Sequence, residues 1–404
     1  MKRIKTVYLY LFIFCLIYIE FGYRMVIVNQ FSGFARMLLL LLLTIPILLY
    51  KKKIYMEPIL LFACIALYIF LSSFRDNGFW DYILLLIPIF LGFIISVFIE
   101  IKDFINTFCN VILFLAIFSL GIYCVNIFAP YVIKELPYLG NVYSYSAEIH
   151  DSFFSVAITG AQNIRNYGIA WEPGAFSLLL CVSLLFELTF FKVIDYRRIW
   201  ILIIAVATTF STTGYFVVAG FLYSILLSKK IVSRREKNIA IIIFIIIISF
   251  YFFVPNEIYN LVFSKLRGLF SGDSSNLVFT TKARINAVIY PIMAFFNSPL
   301  VGIGYEQFSI LNKTMCGGLA TNTILNWYAV LGAFFGVPCT FGLLRFIVLS
   351  MKKIKIPRMG IGIAIVSMIL LLSTESLLRI SLVYIFIFWG FQSKTLKKIE
   401  QIER

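Results

Sequence analysis

Apolar runs of close to 20 residues recur along this chain from one end to the other, separated by short stretches where lysine, arginine, asparagine and glycine collect. As a helix, such a run crosses a hydrocarbon core of roughly 30 Å. None shows the period-two alternation of a barrel strand, and backbone in lipid must satisfy its own polar groups, so helices are predicted. The runs place spans near 6–22, 34–50, 58–73, 81–99, 104–129, 174–191, 199–211, 213–228, 238–254, 321–350, 359–373 and 376–392. The expected fold class is all-α: a polytopic transmembrane helical bundle of about twelve spans, one integral membrane domain over 1–404. Between Arg198 and Lys229 the apolar stretch is too long for one helix and short for two, which predicts a tight hairpin turning at Ser211–Gly214.

Composition narrows the class further. The chain is 61% hydrophobic and only 13% charged, whereas a soluble domain carries about 25% charged residues. The net charge of +16 raises nucleic acid as a partner, but the position of the charges excludes it. With the N-terminus inside, the basic residues gather at Lys51–Lys53, Lys192/Arg197/Arg198, Lys229–Lys237, Lys352–Arg358 and the C-terminal lysines, all in short cytoplasmic turns. That is the positive-inside pattern together with contact to lipid head groups. The first apolar run follows Lys2, Arg3 and Lys5, but Glu20, Tyr23 and Arg24 stand where a cleavage site would, so it reads as a retained span. Six of the seven cysteines (Cys15, Cys64, Cys109, Cys124, Cys181 and Cys339) fall in apolar runs and Cys316 in an outer loop, so they read as core fillers with neither disulfide nor metal spacing.

This topology leaves two long outer loops, 130–173 and 255–320, rich in aromatics and expected to fold onto the membrane surface. The first ends in Arg165-Asn-Tyr-Gly168-Ile-Ala-Trp171-Glu172-Pro173-Gly174, running straight into a span. Glu172 before Pro173 sets a carboxylate at a helix N-terminus, which suits a plain helix-start acid as well as a functional one. The second carries Lys265, Arg267, Lys282 and Arg284, an amphipathic run over 285–296, and Pro299-Leu-Val-Gly302-Ile-Gly304-Tyr305; Asn322 and Gly332 follow in the next span.

Arg-x-x-Gly-x-x-x-Glu-Pro at 165–173, Thr-Gly-Tyr at 213–215, Arg284 followed by Pro299-x-x-Gly-x-Gly-Tyr, and Asn322 with Gly332 together resemble the O-antigen and capsular polysaccharide polymerases (Wzy-type), in the superfamily of the O-antigen ligases and the GT-C class of membrane glycosyltransferases. The resemblance covers roughly 160–350. It implies a bacterial inner-membrane enzyme that moves a glycan from undecaprenyl diphosphate to a sugar hydroxyl of a lipid-linked repeat unit on the outer face. The partners it implies are those two carrier-linked oligosaccharides, membrane lipids and a chain-length regulator protein.

The residue types suit that chemistry. A diphosphate leaving group needs its charge neutralised as the C–O bond breaks, and a guanidinium does this bidentately. Arg165 and Arg284 are the candidates for that role, with Arg267 next. The outer loops hold no clustered carboxylates, so no metal and no cofactor are expected. Glu172 is the candidate general base. Trp171 and Tyr305 suit stacking on sugars, Gly168 and Asn322 belong to the matching motifs, and Arg379 is a candidate third cation unless it pairs with Glu375 one turn away. Ligases of the superfamily carry a histidine where Thr321 stands here; the lone histidine, His150, reads as a solvated loop residue, which favours polymerase over ligase. A flippase for lipid-linked oligosaccharide shares the hydropathy but is expected to carry charged or broken helices at mid-membrane, and Glu187 and Arg345 lie toward span ends.

Overall fold

Helices fall on the apolar runs. The structure, a computed structural model, describes residues 2–28, 32–48, 56–75, 78–141, 147–160, 165–227, 276–316, 321–353, 356–373 and 375–392. In chain order these carry α1 (Lys2–Phe21), α2 (Tyr23–Val26), α3 (Gly33–Leu48), α4 (Met56–Ser72), α5 (Phe79–Phe98), α6 (Ile101–Phe128), α7 (Pro130–Lys134), the strands β1 (Tyr138–Asn141), β2 (Glu148–Asp151) and β3 (Val156–Thr159), then α8 (Pro173–Thr189), α9 (Tyr196–Thr208), α10 (Thr212–Leu226), α11 (Asn276–Asn297), α12 (Tyr305–Met315), α13 (Thr323–Lys353), α14 (Arg358–Leu372) and α15 (Ser381–Phe391). Three of them, Phe79–Phe98, Ile101–Phe128 and Thr323–Lys352, are long and apolar enough to cross a membrane, and several apolar helices are shorter. The run at 238–254 lies outside the described residues.

The described parts of the expected loops are structured, and this amends the all-α reading. Residues 138–159 hold a three-stranded antiparallel sheet in the order β1-β2-β3, with Tyr138 opposite His150 and Glu148 opposite Thr159. Ile149, Val156 and Ile158 pack with Ala147 and Tyr23 into a small core of their own. Strands of four residues are too short to display a period-two pattern in sequence. Within the second expected loop, the described residues form α11 and α12. The hairpin between α9 and α10 turns at Thr209–Ser211, earlier than expected, and Thr212 already opens α10.

The chain divides into two compact units. The first is built from Met1–Lys51 and Phe98–Val218, the second from Lys52–Val97 and Ala219–Lys398. In the first, α6 packs against α1, α8 and α9, and α8 is buried along its whole length except Gly174. A buried ion pair ties its helices together. Arg198 donates to Glu187 at 2.8 Å and to Asn110 at 2.7 Å, and Asn110 donates to Tyr10. A carboxylate among apolar side chains persists where a hydrogen-bonded partner compensates it.

In the second unit α13 packs against α4, α11, α14 and α15. Gly342 and Gly390 bring α13 and α15 backbone to backbone, the small-residue contact of helices packed in lipid. α13 is broken at Gly332, whose φ of 65° and ψ of −167° no helix contains. The segment 299–304 fills the break. Ile303 and Gly304 donate to the carbonyls of Ala329 and Val330 at 2.8 and 3.0 Å, while Ala333 and Phe334 donate to those of Pro299 and Leu300 at 2.8 and 3.2 Å. Tyr68 caps the Leu331 carbonyl at 2.6 Å, and Arg75 donates to Val301 at 2.7 Å. Groups freed by breaking a helix among apolar neighbours must find partners, and here they do. Gly302, at φ 69°, meets the same strand of backbone so closely that a Cβ would stand 2.5 Å from the Val330 carbonyl carbon.

Candidate functional site

The motif segment at 165–174 lies in the first unit and is stitched to its helices. Arg165 donates through Nε to the Thr209 carbonyl at 2.9 Å and through Nη2 to that of Phe210 at 3.1 Å. Two bonds from one planar fork fix the turn between α9 and α10, where Phe210 has a positive φ. Asn166, buried, donates to Ser119 of α6 at 3.2 Å and to Thr208 of α9 at 2.9 Å, while its carbonyl oxygen accepts from the Gly168 N–H at 2.9 Å. Gly168 turns the chain at φ 52° directly over Phe176, where a Cβ would come within 2.5 Å of the ring. Trp171 stacks on Phe21 at 5.2 Å with the planes 11° apart.

Glu172 then stands in extended conformation before Pro173, exposed, and its carboxylate makes no capping bond to α8. The helix-start role considered from sequence is thus not exercised through a hydrogen bond. Beside Arg165, a small closed crevice of mixed lining lies between Ser119, Asn126, Ser155 and Asn166 on one hand and Ile122 and Val156 on the other. The Asn126 Oδ1 and Ser155 Oγ atoms are buried there without a hydrogen-bond partner.

The sheet above this segment is held by charges that sequence reasoning did not single out. Arg24 of α2 pairs with Asp151 of β2, a carboxylate only 3% exposed. Burial pushes the Asp151 carboxyl above the usual range, and the Phe153 N–H and Arg24 pull partly back. His150 is not solvated as expected. It is buried in β2, with Nδ1 3.2 Å from the Leu136 carbonyl and Nε2 3.5 Å from the Glu148 carboxylate, which Lys134 also approaches. Ile149, His150 and Asp151 of β2 are all buried, a placement invisible when the segment reads as loop.

In the second unit the structure brings two candidates together. Arg379 lies over the Tyr305 ring at 5.3 Å, and Tyr305 meets Tyr82 edge to face at 5.2 Å. The i, i+4 pairing of Arg379 with Glu375 is corrected: residues 375–380 are not helical, α15 starts at Ser381, and Arg379 pairs with Asp81 at 2.5 Å. Burial pushes the Tyr305 phenol well up, so it stays protonated at neutral pH. Thr323 draws the same segment onto α13 by donating to the Glu375 carbonyl and accepting from the Leu377 N–H, both at 2.9 Å. Asn322, at φ 77°, accepts from the Leu325 N–H at 3.1 Å and so caps α13. Asp81 was not singled out, because its partner lies 298 residues away.

Arg267 lies outside the described residues, as does the side chain of Arg284; the Arg284 backbone is in α11. Cys109, Cys181, Cys316 and Cys339 are buried as expected of fillers, whereas Cys64 and Cys124 face outward on α4 and α6. Among the described residues no three His, Cys, Asp or Glu side chains gather to hold a metal ion. Comparison with protein families and with curated proteins returns no match to this chain.

Proposed function

We propose that the chain is a polysaccharide polymerase of the bacterial inner membrane. In this reading about twelve spans form a GT-C-like bundle with both termini cytoplasmic and the two long segments, 130–173 and 255–320, on the outer face. The enzyme transfers a growing glycan from undecaprenyl diphosphate to a sugar hydroxyl of a carrier-linked repeat unit of O-antigen or capsule. Arg165 and Arg284 neutralise the diphosphate, with Arg267 and Arg379 as further cations, and Glu172 accepts the hydroxyl proton.

The observation that carries the reading is the state of Glu172. The one carboxylate in the Arg-x-x-Gly-x-x-x-Glu-Pro segment stands exposed and makes no capping bond, on a segment otherwise locked by Arg165, Asn166 and Gly168. A rigid support with an available carboxylate is what a general base requires. The hydroxyl proton passes to Glu172 while the anomeric C–O bond to the diphosphate breaks and the new glycosidic bond forms. Arg165 is a weaker assignment than Glu172 on geometry, since its Nε and Nη2 already hold carbonyls.

The experiment is a glycan ladder from the native host carrying Glu172→Gln, Arg284→Ala or Arg165→Lys, with membrane expression checked by immunoblot. The expected outcome is a protein at normal level and surface glycan of single repeat units. Long-chain glycan in both Glu172→Gln and Arg284→Ala overturns the reading. A ligase would instead lose all attached glycan, and a flippase would accumulate repeat units inside the cell.

A further inference from the structure

The joint between α1 and α2 is built against the segment that carries Glu172. Three successive residues hold it by the backbone. The Phe21 carbonyl accepts from the Trp171 N–H at 3.0 Å, Gly22 faces Ala170 in an isolated antiparallel bridge, and the Tyr23 N–H donates to the Ile169 carbonyl at 3.0 Å. Gly22 leaves no room for a side chain there, since a Cβ would collide with the Tyr18 carbonyl. The joint is itself anchored to the sheet. The Tyr23 ring lies in the small core, with Tyr167 packed against it, and Arg24 pairs with Asp151. Side chains repeat the contact: Phe21, only 1% exposed, backs the Trp171 ring at 5.2 Å with the planes 11° apart.

Glu172 is the next residue. On its far side Pro173 is buried with a φ fixed by its ring, and the Glu172 carbonyl accepts from the Phe176 N–H at 3.1 Å to open α8. Glu172 is therefore a single extended residue, at φ −142° and ψ 152°, spanning two fixed points: the end of α1 and the start of α8. Its backbone direction is set by those neighbours, and a shift of Trp171 on Phe21 carries the carboxylate with it. α1 lies outside 160–350, the stretch that carries the motifs, so they assign it no part in the chemistry. We infer that Phe21 is a positioning residue for Glu172: its carbonyl and ring, acting through Trp171, set the direction from which the carboxylate meets an acceptor hydroxyl. The inference rests on the reading of Glu172 as general base and adds the element that aims it. A base must stand within hydrogen-bond reach of the proton it takes, and a misplacement of about 1 Å costs on the order of a hundredfold in rate.

The test uses the purified full chain in nanodiscs, with undecaprenyl-diphosphate-linked repeat unit extracted from a polymerase-deficient host as the substrate. Phe21→Leu and Trp171→Leu remove the stack and keep an apolar side chain. Each is expected to lower kcat about tenfold with KM held within about twofold. Each should also raise the solvent deuterium isotope effect on kcat, because a misaimed carboxylate makes proton transfer the slower step. Loss of folded protein lowers kcat too, but leaves the isotope effect where it was. Trp171→Phe, which keeps a ring on Phe21, should bring kcat back to within about threefold of the unsubstituted chain. Where Phe21→Leu does not elute as a single peak in size exclusion, Trp171→Leu, at a half-buried position, decides. A lower kcat with an unchanged isotope effect overturns the inference, as does a higher KM at unchanged kcat, which marks Trp171 as a sugar contact instead. Turnover lost in Glu172→Gln but intact in both leucine variants overturns the positioning role alone. Full turnover in Glu172→Gln overturns the base assignment and the positioning role together.

Discussion

Both units carry irregular backbone in among apolar helices, and they satisfy its polar groups in opposite ways. In the first unit the helices stay whole and the incoming segment brings its own solution: side chains such as Asn166 and Arg165 bond the carbonyls and hydroxyls at helix ends, and the 152–155 turn bonds to itself. In the second unit the helix gives way. α13 opens at Gly332, and its freed N–H and C=O groups pair with 299–304 as two strands would. Side-chain stitching tolerates adjustment, because a rotamer can move. A backbone splice has no such freedom, so the second region should be the more brittle of the two.

The sharpest way to break that contrast is to add one carbon. Gly332→Ala sets a Cβ against the Leu300 carbonyl at a φ that alanine resists, and Gly302→Ala does the same against Val330. Each is expected to remove more than about 3 kcal/mol and abolish the monodisperse peak in fluorescence-detected size exclusion. Asn166→Ala leaves the Ser119 and Thr208 hydroxyls and the Gly168 N–H without this partner; a loss of about 2 kcal/mol should appear as a lower melting temperature with the peak retained. If Asn166→Ala proves the more damaging, the contrast is wrong.

The Arg24–Asp151 contact comes next. Removing the cation with Arg24→Ala leaves a buried carboxylate with the Phe153 N–H but no counter-charge and should lower stability by about 1–3 kcal/mol at neutral pH. The pH dependence has a defined sign. The folded-state value of Asp151 lies above the ordinary 3.8, so its contribution is full below 3.8 and is lost as pH rises through the folded value. Asp151→Asn should therefore flatten the melting-temperature profile across that acidic window. The smallest effect is expected at Arg379–Asp81. With side chains 36% and 48% exposed, the pair is screened, and Asp81→Asn should change stability by no more than about 0.5 kcal/mol. A change in glycan chain length from that variant, without a change in melting, would mark the pair as functional.

How much of this was legible beforehand follows the range of the interactions. Hydropathy located the apolar helices outside the two long loops because each is a local property of about 20 residues, whereas α7, α11 and α12 lie in segments read as loop. The sheet was not legible: strands of four residues carry too little pattern, and His150 consequently read as solvated. The break in α13 was hidden because Gly332 sits in an unbroken apolar run, Ala329–Phe335, even though the Gly302–Gly304 pair that fills it stood out. The link between the two is backbone to backbone and leaves no trace in side-chain type. Arg165, Gly168 and Glu172 were found as a motif, but not that Arg165 would hold carbonyls, nor that Asn166 between them would make most of the bonds. Asp81 and Arg379 needed the fold to meet.

The splice also bears on the order in which the chain assembles. Its two halves, 299–304 and 329–334, lie about thirty residues apart, so loop closure between them is entropically cheap. Tyr68 and Arg75, which clasp it from 263 and 226 residues upstream, leave the ribosome long before it does. Whatever stalls the emergence of Gly332 would therefore leave an early-made helix waiting with two unclaimed donors. The second unit first becomes able to lock once residue 334 has itself emerged from the ribosome.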